Sequence, residues 1–141
     1  LGIDVATFPS SGAAGAMGAG MIAFFNASLQ MGIETVLDTV QFSEVLNDTD
    51  LVITGEGKLD TQSLRGKVVI GVARQARQAN VPVVALVGGA ESNIESAYDM
   101  GVSAIFPINR LPEDFSISKS KSAENLAATA QDVLRVIKAF A

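Results

Sequence analysis

The sequence contains neither cysteine nor histidine among its 141 residues. Without cysteine there is no disulfide framework, no thiolate metal site and no thiol nucleophile. Without histidine, the commonest general base and the commonest metal ligand are both missing. Any chemistry must therefore depend on carboxylates, lysine, arginine, hydroxyl groups or backbone amides.

Positive charge and long apolar runs are also scarce. Ten Lys and Arg residues are scattered singly against fifteen Asp and Glu, so the net charge is −5 and no basic stripe is available for nucleic acid. The nearly uncharged stretch at residues 80–90 contains Pro82 and is shorter than the roughly 20 apolar residues of a membrane-spanning helix. We expect no nucleic-acid partner and no membrane segment. Because no basic and apolar leader opens the chain, we also expect a cytoplasmic protein.

Apolar residues make up 48% of the sequence and occur in short blocks, as in a globular domain. From residue 50 onward these blocks alternate between strand-like and helix-like patterns. Apolar runs at 51–54, 81–87 and 104–106 predict three buried strands. Helical spacing predicts a helix over 69–79 ended by Asn80, a short one over 94–100, and a last one capped by Ser122. This alternation predicts an α/β fold, a three-layer structure with a parallel sheet between helices.

Residues 1–49 show a different pattern, with no evident strand. Helices are predicted over 33–40 and from Ser43 to Leu46. Another is predicted over 21–25, opened by a turn that contains four glycines: Gly12, Gly15, Gly18 and Gly20. Glycines at these positions allow either close helix packing or close approach of a ligand. We interpret 1–49 as the helical, glycine-rich tail of a second α/β domain with its connection, and 50–141 as a separate unit.

A long polar segment, 54–67, joins the first predicted strand to the following helix. In open α/β sheets ligands bind at the carboxyl ends of strands, where this loop is expected. Gly55 and Gly57 are predicted to turn backbone amides inward. Gly66 and Lys67 are predicted to offer free N–H groups, the positive end of a helix dipole and an ammonium group. The combination suits an anion such as phosphate or carboxylate.

Two carboxylates in the same segment, Glu56 and Asp60, are suited to hold Mg²⁺ or to accept a proton from a substrate hydroxyl. The alternative is a solvated connection in which these carboxylates cap turns and Lys67 is exposed. The segment is not a Walker A motif, because Val68 follows Lys67. The glycines at 15, 18 and 20 have the wrong order for a dinucleotide fingerprint, which disfavours an oxidoreductase on a similar sheet.

Two blocks of the chain resemble the bacterial glycerate kinase family, whose members pair a flavodoxin-like domain with a second α/β domain. One is the glycine-rich block 12–20. The other is longer and more specific: it runs from Asp50 to Ser63 as DLVITGEGKLDTQS and continues to Gly66-Lys67 and to 71–73. The resemblance covers most of the chain. It implies that 50–141 form the C-terminal half of the flavodoxin-like, Rossmann-like domain, and that an N-terminal part of the same chain is a missing partner.

The resemblance further implies ATP-dependent phosphorylation of a hydroxyl of glycerate, with Mg²⁺ as cofactor, giving ADP and a phosphoglycerate, with 2-phosphoglycerate favoured. Glycerate and ATP would be the small-molecule partners. This chain would then hold only part of the site, and the isolated chain is expected to be inactive. The alternative is a non-catalytic binding domain that associates with itself into a homo-oligomer.

Within such a kinase site we expect Asp60 to accept the hydroxyl proton or to position Mg²⁺, with Glu56 as a second possible metal ligand. We expect Lys67, together with the Gly66 amide, to bind phosphate or the glycerate carboxylate. The residues expected to bind substrate or phosphate are Gly55, Glu56, Gly57, Gln62, Ser63, Gly66, Gly15 and Gly18.

Overall fold

A computed structural model describes residues 2–140 of the chain. Three parallel strands form one sheet in the order β1-β2-β3: β1 Val52–Glu56, β2 Val83–Val87 and β3 Ala104–Pro107. The helices are α1 Ala13–Phe25, α2 Gly32–Thr39, α3 Phe42–Val45, α4 Val68–Gln78, α5 Ser96–Asp99, α6 Phe115–Ser120 and α7 Ser122–Phe140. Short 3₁₀ turns lie at Val5–Thr7, Leu46–Asp48 and Ser63–Arg65. The three predicted strands and their parallel pairing are confirmed.

The sheet has a helix layer on each face, so the predicted three-layer α/β architecture is also confirmed. On one face, Val83, Ala85 and Val87 of β2 pack with the buried side of α4. On the other face, Val84 and Leu86 pack with Val133 of α7. All five residues of β2 are buried, because alternate side chains enter two different cores.

Strand β1 lies at the edge of the sheet and is less covered than β2. Its register pairs Ile53 with Val84 and Gly55 with Leu86, so these residues face the α7 side. Helix α7 covers β2 on that side, whereas Ile53 stays 44% exposed. An open strip therefore runs along β1 beside α7, and it leads to the carboxyl ends of the strands.

Several predicted helix ends are shifted. Asn80 lies one residue beyond the cap of α4, in a left-handed conformation that commonly ends helices. Ser43 lies inside α3, which is preceded by Gln41 in a left-handed conformation, so the prediction of Ser43 as a cap is wrong. Ser122 is the first residue of α7, and its hydroxyl donates to the carbonyl of Ser118 in the preceding helix α6, which the sequence pattern did not predict.

The glycine-rich segment does open a helix, as predicted. Ala14, Gly15 and Ala16 all have positive φ, between 51° and 68°, and regular helical geometry follows them. Gly18 is buried, and a Cβ there would lie 2.9 Å from the carbonyl oxygen of Ser10 and 3.0 Å from Leu29. Close packing within residues 10–29 therefore explains why position 18 is occupied by glycine, since a larger side chain would not fit there.

The end of the first segment packs against α4. A Cβ at Gly71 of α4 would lie 2.5 Å from the side chain of Ile33, and Leu46 is buried in the core shared by α4 and the sheet. The division of the chain at residue 49 stays a prediction. No helix between residues 2 and 140 is both long enough and apolar enough to cross a membrane.

Candidate functional site

The segments that follow the three strands meet at the carboxyl edge of the sheet. Leu59 donates its N–H to the carbonyl of Gly89 at 2.9 Å, and Glu91 donates its N–H to the carbonyl of Leu59 at 3.1 Å. Asn109, after β3, donates its side-chain amide to the carbonyl of Gly88 at 2.8 Å. Leu59 is fully buried, so it anchors the loop in the core. These hydrogen bonds join the three loops, which therefore form one continuous surface at this edge of the sheet.

Two glycines allow this close approach. A Cβ at Gly55 would lie 2.2 Å from the carbonyl oxygen of Leu86, and a Cβ at Gly88 would lie 2.3 Å from the carbonyl oxygen of Gly57. Neither site has room for a side chain. Strand β1 continues through Gly55 and Glu56, so the prediction that Gly55 shapes the turn is wrong. Its role is to let β1 and β2 pair closely at the edge.

A cleft of about 960 Å³ opens at this edge and extends between the sheet and helices α6 and α7. The segment Gly55–Lys58 and the pair Gly88-Gly89 line its polar end. Apolar residues line its walls: Ile53, Leu86, Ile108, Phe115 and Leu126. A concave, largely apolar cleft with a few polar groups converging at one end is the usual form of a small-molecule site.

Glu56, the last residue of β1, lines this cleft and carries a notable carboxylate. Its Oε1 atom is buried and has no hydrogen-bond partner among the described residues. An unpaired buried carboxylate oxygen is costly, so such an atom points to a ligand or cation that would satisfy it. Mg²⁺ is commonly held by only one or two carboxylates together with substrate phosphates. Glu56 fits that role, although the described part of the chain has no cluster of three acidic residues that would form a metal cage by itself.

Asp60 shapes the turn that follows. Its Oδ1 accepts the N–H of Gln62 at 2.9 Å and the N–H of Ser63 at 3.0 Å. The backbone hydrogen bond from Ser63 lowers the pKa of Asp60 most, and the positive charge of Lys67 lowers it further. Asp60 is therefore a carboxylate at neutral pH, and it is held in place by its own loop.

The other loop residues that were predicted to bind a ligand differ in burial and in hydrogen bonding. Ser63 is fully buried, and its hydroxyl lies 3.3 Å from the carbonyl oxygen of Lys58, so it serves the turn. Gln62 is exposed and accepts a hydrogen bond from Lys67 Nζ at 3.3 Å. The N–H groups of Gly66 and Lys67 both donate to the carbonyl of Ser63 at 3.1 Å. The prediction that these two amides are free is therefore wrong, whereas the Lys67 ammonium stays exposed beside Asp60.

Helix α4 begins directly after Lys67, which is its N-terminal cap residue. The amides of its first turn, in Val68, Val69 and Ile70, have no backbone acceptor among the described residues. The positive end of this helix therefore lies beside Lys67, as the sequence pattern predicted.

The structure does not bring all predicted residues to the cleft. Gly55, Glu56 and Gly57 line it, whereas Asp60, Gln62, Ser63, Gly66 and Lys67 form the adjoining turn and helix start. Gly15 and Gly18 belong to the N-terminal segment, where Gly15 is exposed with a left-handed backbone and Gly18 is packed. Neither glycine lines the cleft.

Several residues that line the cleft were missed by the sequence analysis: Lys58, Asn109, Phe115, Lys119 and Leu126. Phe115 and Lys119 lie on α6, a helix of six residues that is too short to show a clear apolar period. The lysine of the motif, Lys58, forms an ion pair with Glu91 at 2.6 Å, and this contact raises the pKa of Lys58. The positive charge of Lys58 is evident from the sequence, whereas its ion pair with Glu91 in the next loop is not.

Together, the fold and this edge define an α/β protein with a cleft at the carboxyl ends of parallel strands, the place where open α/β sheets bind ligands. The sequence model of the glycerate kinase family matches residues 1–138. The chain belongs to the glycerate kinase family.

Its relatives include proteins named as glycerate kinases. The chain is 42% identical over 127 residues to a glycerate kinase of Haemophilus influenzae, a match that covers 90% of this chain and 34% of that protein. It is 39% identical over 136 residues to a glycerate 2-kinase of Escherichia coli, which covers 92% of this chain and 36% of that protein.

A solved structure is similar as well. The crystal structure of a candidate glycerate kinase 2 from Salmonella typhimurium LT2 matches with a TM-score of 0.72 and 38% identity, over 97% of this chain and 35% of that one. The chain thus spans about a third of the length of the relatives it matches.

Proposed function

We propose that this chain supplies part of the active site of a kinase that transfers the γ-phosphoryl group of ATP to a hydroxyl of glycerate. The products are ADP and phosphoglycerate, with the 2-hydroxyl as the favoured acceptor and the cytoplasm as the favoured location. In this reaction the bond between the γ-phosphorus and the β-γ bridging oxygen breaks, and a new bond forms to the glycerate oxygen. The hydroxyl proton leaves to a base. The remaining part of the site comes from chain outside these residues.

The observation that carries this proposal is the carboxyl edge of the sheet. Three loops joined by hydrogen bonds bring together a glycine-lined surface, the Glu56 oxygen that has no partner between residues 2 and 140, and the Asp60–Lys67 turn. Phosphoryl transfer depends mainly on positioning and on neutralising charge, which such a surface supplies. The relatives named as glycerate kinases give the substrate class.

Mg²⁺ fits this site through Glu56, with Asp60 as a second possible ligand. These residues would hold the cation, which would supply charge neutralisation for the phosphate oxygens of ATP. Glu56 carries its carboxylate at the end of β1, and one of the carboxylate oxygens lacks any other partner among the described residues.

Asp60 and Lys67 are assigned to the glycerate side of the reaction. Asp60 keeps its Oδ1 in the turn, so its second oxygen is the atom proposed to accept the hydroxyl proton. Lys67 has an exposed ammonium at the start of α4 and is proposed to bind the glycerate carboxylate or a phosphate.

The first experiment is a coupled ADP-release assay with D-glycerate, ATP and Mg²⁺ on this chain and on a full-length protein that contains it. We expect turnover by the full-length protein only. If the full-length protein phosphorylates a different small hydroxy acid instead of glycerate, the phosphoryl-transfer proposal stands and the substrate assignment fails.

Asp60→Asn tests the proposed base in the same full-length protein. Asparagine retains an oxygen that can accept the two backbone N–H groups, so the turn is preserved while the charge is removed. We expect kcat to fall by about 10² or more, while the protein stays folded at the assay temperature and loses only a small part of its stability. Near-normal turnover would refute the role of Asp60.

Lys67→Ala tests the proposed anion ligand. We expect mainly a higher KM for an anionic substrate, because the ammonium would bind the ground state and the transition state alike. Since Lys67 makes only one side-chain hydrogen bond within the described chain, to exposed Gln62, the fold should tolerate the change. Unchanged KM and kcat would mean that Lys67 is an ordinary surface lysine.

A further inference from the structure

Lys58 lies between the two carboxylates that the proposed function uses. Glu56 and Asp60 are each two residues away from it along the chain. Lys58 and Glu56 both line the cleft at the carboxyl edge of the sheet. An ammonium group in this position can pair with either carboxylate, and such a pair would neutralise a charge that the proposed reaction needs.

The ammonium group of Lys58 pairs instead with a third carboxylate. Lys58 Nζ lies 2.6 Å from Oε1 of Glu91, which belongs to the loop after β2. The hydrogen bond and the charge of Glu91 raise the pKa of Lys58 most, and the charge of Asp60 raises it further, so Asp60 is close enough to attract the same ammonium. Among residues 2–140, one oxygen of Glu56 is buried without a hydrogen-bond partner, although this lysine lines the same cleft.

The ion pair between Lys58 and Glu91 adds little to the joining of the two loops. Leu59 is fully buried, and backbone hydrogen bonds already connect it to Gly89 and to Glu91. The two paired side chains are 59% and 35% exposed, and ion pairs this exposed contribute little to stability. The main effect of the pair is therefore on where the Lys58 charge lies relative to the two carboxylates of its own loop.

We propose that Glu91 is a positioning residue that holds the Lys58 ammonium away from Glu56 and Asp60. The carboxylates of both residues then stay available, that of Glu56 for a cation and that of Asp60 for the substrate proton. This inference rests on the proposed function and adds to it a residue that acts on the reaction only through Lys58. Its consequence is that the damage caused by loss of Glu91 disappears when the Lys58 charge is removed as well.

The test uses Glu91→Gln, Lys58→Met and the double variant in a full-length protein that contains this chain. Glutamine keeps the size of the side chain and the backbone N–H that bonds to Leu59, so the loop contact is preserved while the charge is lost. Methionine keeps much of the apolar stem of lysine. Glu113→Gln is the matched control, because Glu113 forms an ion pair of similar length, 2.7 Å, with Lys121, and neither of these residues lines the cleft.

We expect Glu91→Gln to lower kcat for glycerate phosphorylation about fivefold, the effect of one additional ion pair that masks a carboxylate. Lys58→Met alone should stay within about twofold of the unchanged protein, and the double variant should regain that rate. Glu113→Gln should leave the rate unchanged. A crystal structure of Glu91→Gln provides a readout that does not depend on activity: Lys58 Nζ should lie within about 4 Å of a carboxylate oxygen of Glu56 or Asp60.

Three results would overturn the role of Glu91. An unchanged kcat in Glu91→Gln would make the ion pair an ordinary surface contact. A loss of kcat that persists in the double variant would show that Glu91 acts on the loop itself or supports a catalytic Lys58. A Lys58 side chain that stays away from both carboxylates in the crystal structure would remove the proposed cause. If the full-length protein never phosphorylates glycerate, the proposed function fails, and the crystal structure alone decides whether Glu91 restrains Lys58.

Discussion

The two parts of the chain bury their apolar residues to very different degrees. In residues 50–140 a continuous core joins the sheet to α4, and Leu59, Ile70 and Val83 in it are completely buried. In residues 2–49 only Ile22, Leu37 and Leu46 are buried hydrophobic residues, and Leu46 contacts the core of the sheet. The sheet part is therefore stabilised by its own contacts, whereas the N-terminal part contributes few.

Helix α1 illustrates that the N-terminal part lacks contacts for its apolar residues. Met17, Met21, Phe24 and Phe25 recur at a spacing of three or four residues, so they form one apolar stripe along the helix. Phe24 is 72% exposed and Phe25 is 73% exposed. An exposed stripe of this kind marks a surface that contacts another molecule or another part of a longer chain. The glycine-rich block thus resembles its family in sequence but lacks a core of its own here.

The largest expected contrast between the two parts comes from removing one isoleucine in each. Ile70→Ala empties a completely buried site of the sheet core and should cost about 2–5 kcal/mol of unfolding free energy. Ile22→Ala, in a helix outside both buried clusters, should cost about 1 kcal/mol. Urea unfolding of the two variants beside the unchanged chain measures both. Equal losses would show that the N-terminal part is as well packed as the sheet.

Replacing one glycine by alanine in each part of the chain should change the free energy of unfolding in opposite directions. Gly55→Ala would force a methyl group to within 2.2 Å of a carbonyl oxygen in the sheet, and it should destabilise by about 1–3 kcal/mol. Gly20→Ala lies in the interior of α1, with no atom within 4 Å of the new methyl group, and should stabilise by up to about 1 kcal/mol. Thermal unfolding distinguishes the two. Destabilisation by Gly20→Ala would mean that the face of α1 at this position is covered.

The sequence predicted the sheet part well because its patterns are local. Each strand is a short apolar run ended by glycine or proline, and α4 has an amphipathic period, so element type and order follow directly. The loop motif predicted that Glu56, Asp60 and Lys67 lie near the carboxyl edge of the sheet, where the structure has them. The sequence did not predict that β1 extends through Glu56, because this depends on pairing with Val87 thirty-one positions later.

The rest of the site depends on contacts that no local pattern contains. The amides of Gly66 and Lys67 are occupied by the carbonyl of Ser63, which reflects how the 3₁₀ turn closes. Phe115 and Lys119 reach the cleft only because α6 lies beside α7 across the sheet. The roles of Gly15 and Gly18 as ligand contacts stay predictions, and close packing explains Gly18 without a ligand.

The apolar stripe of α1 allows a further comparison. If this surface drives association of the isolated chain, Phe24→Ser together with Phe25→Ser should shift sedimentation velocity profiles toward the monomer at equal concentration. Phe115→Ser, equally exposed but in the sheet part, should leave association unchanged. Oligomers that persist in the double variant would exclude α1 as the contact. Oligomers without turnover even in the full-length protein would favour the non-catalytic alternative.

The smallest expected effect concerns the pH dependence of stability. The pKa of Asp60 is lowered in the folded chain by its hydrogen bond from Ser63, so the folded state favours the charged carboxylate relative to the unfolded chain. The resulting stabilisation is complete above the ordinary pKa of 3.8 and is lost as pH falls through the lower folded value. Asp60→Asn should therefore be less stable than the unchanged chain near neutral pH, and the difference should shrink below about pH 4.

Asp38→Asn is the matched control for this titration, because Asp38 is exposed on α2 and its carboxylate accepts no hydrogen bond within the described chain. Urea unfolding of both variants between pH 7 and pH 3 gives the two curves. A difference for Asp60→Asn that stays constant with pH would trace its effect to the shape of the turn rather than to charge. A difference that grows as pH falls would contradict the direction of the pKa shift, and with it the picture of Asp60 as a carboxylate held ionised by its own loop.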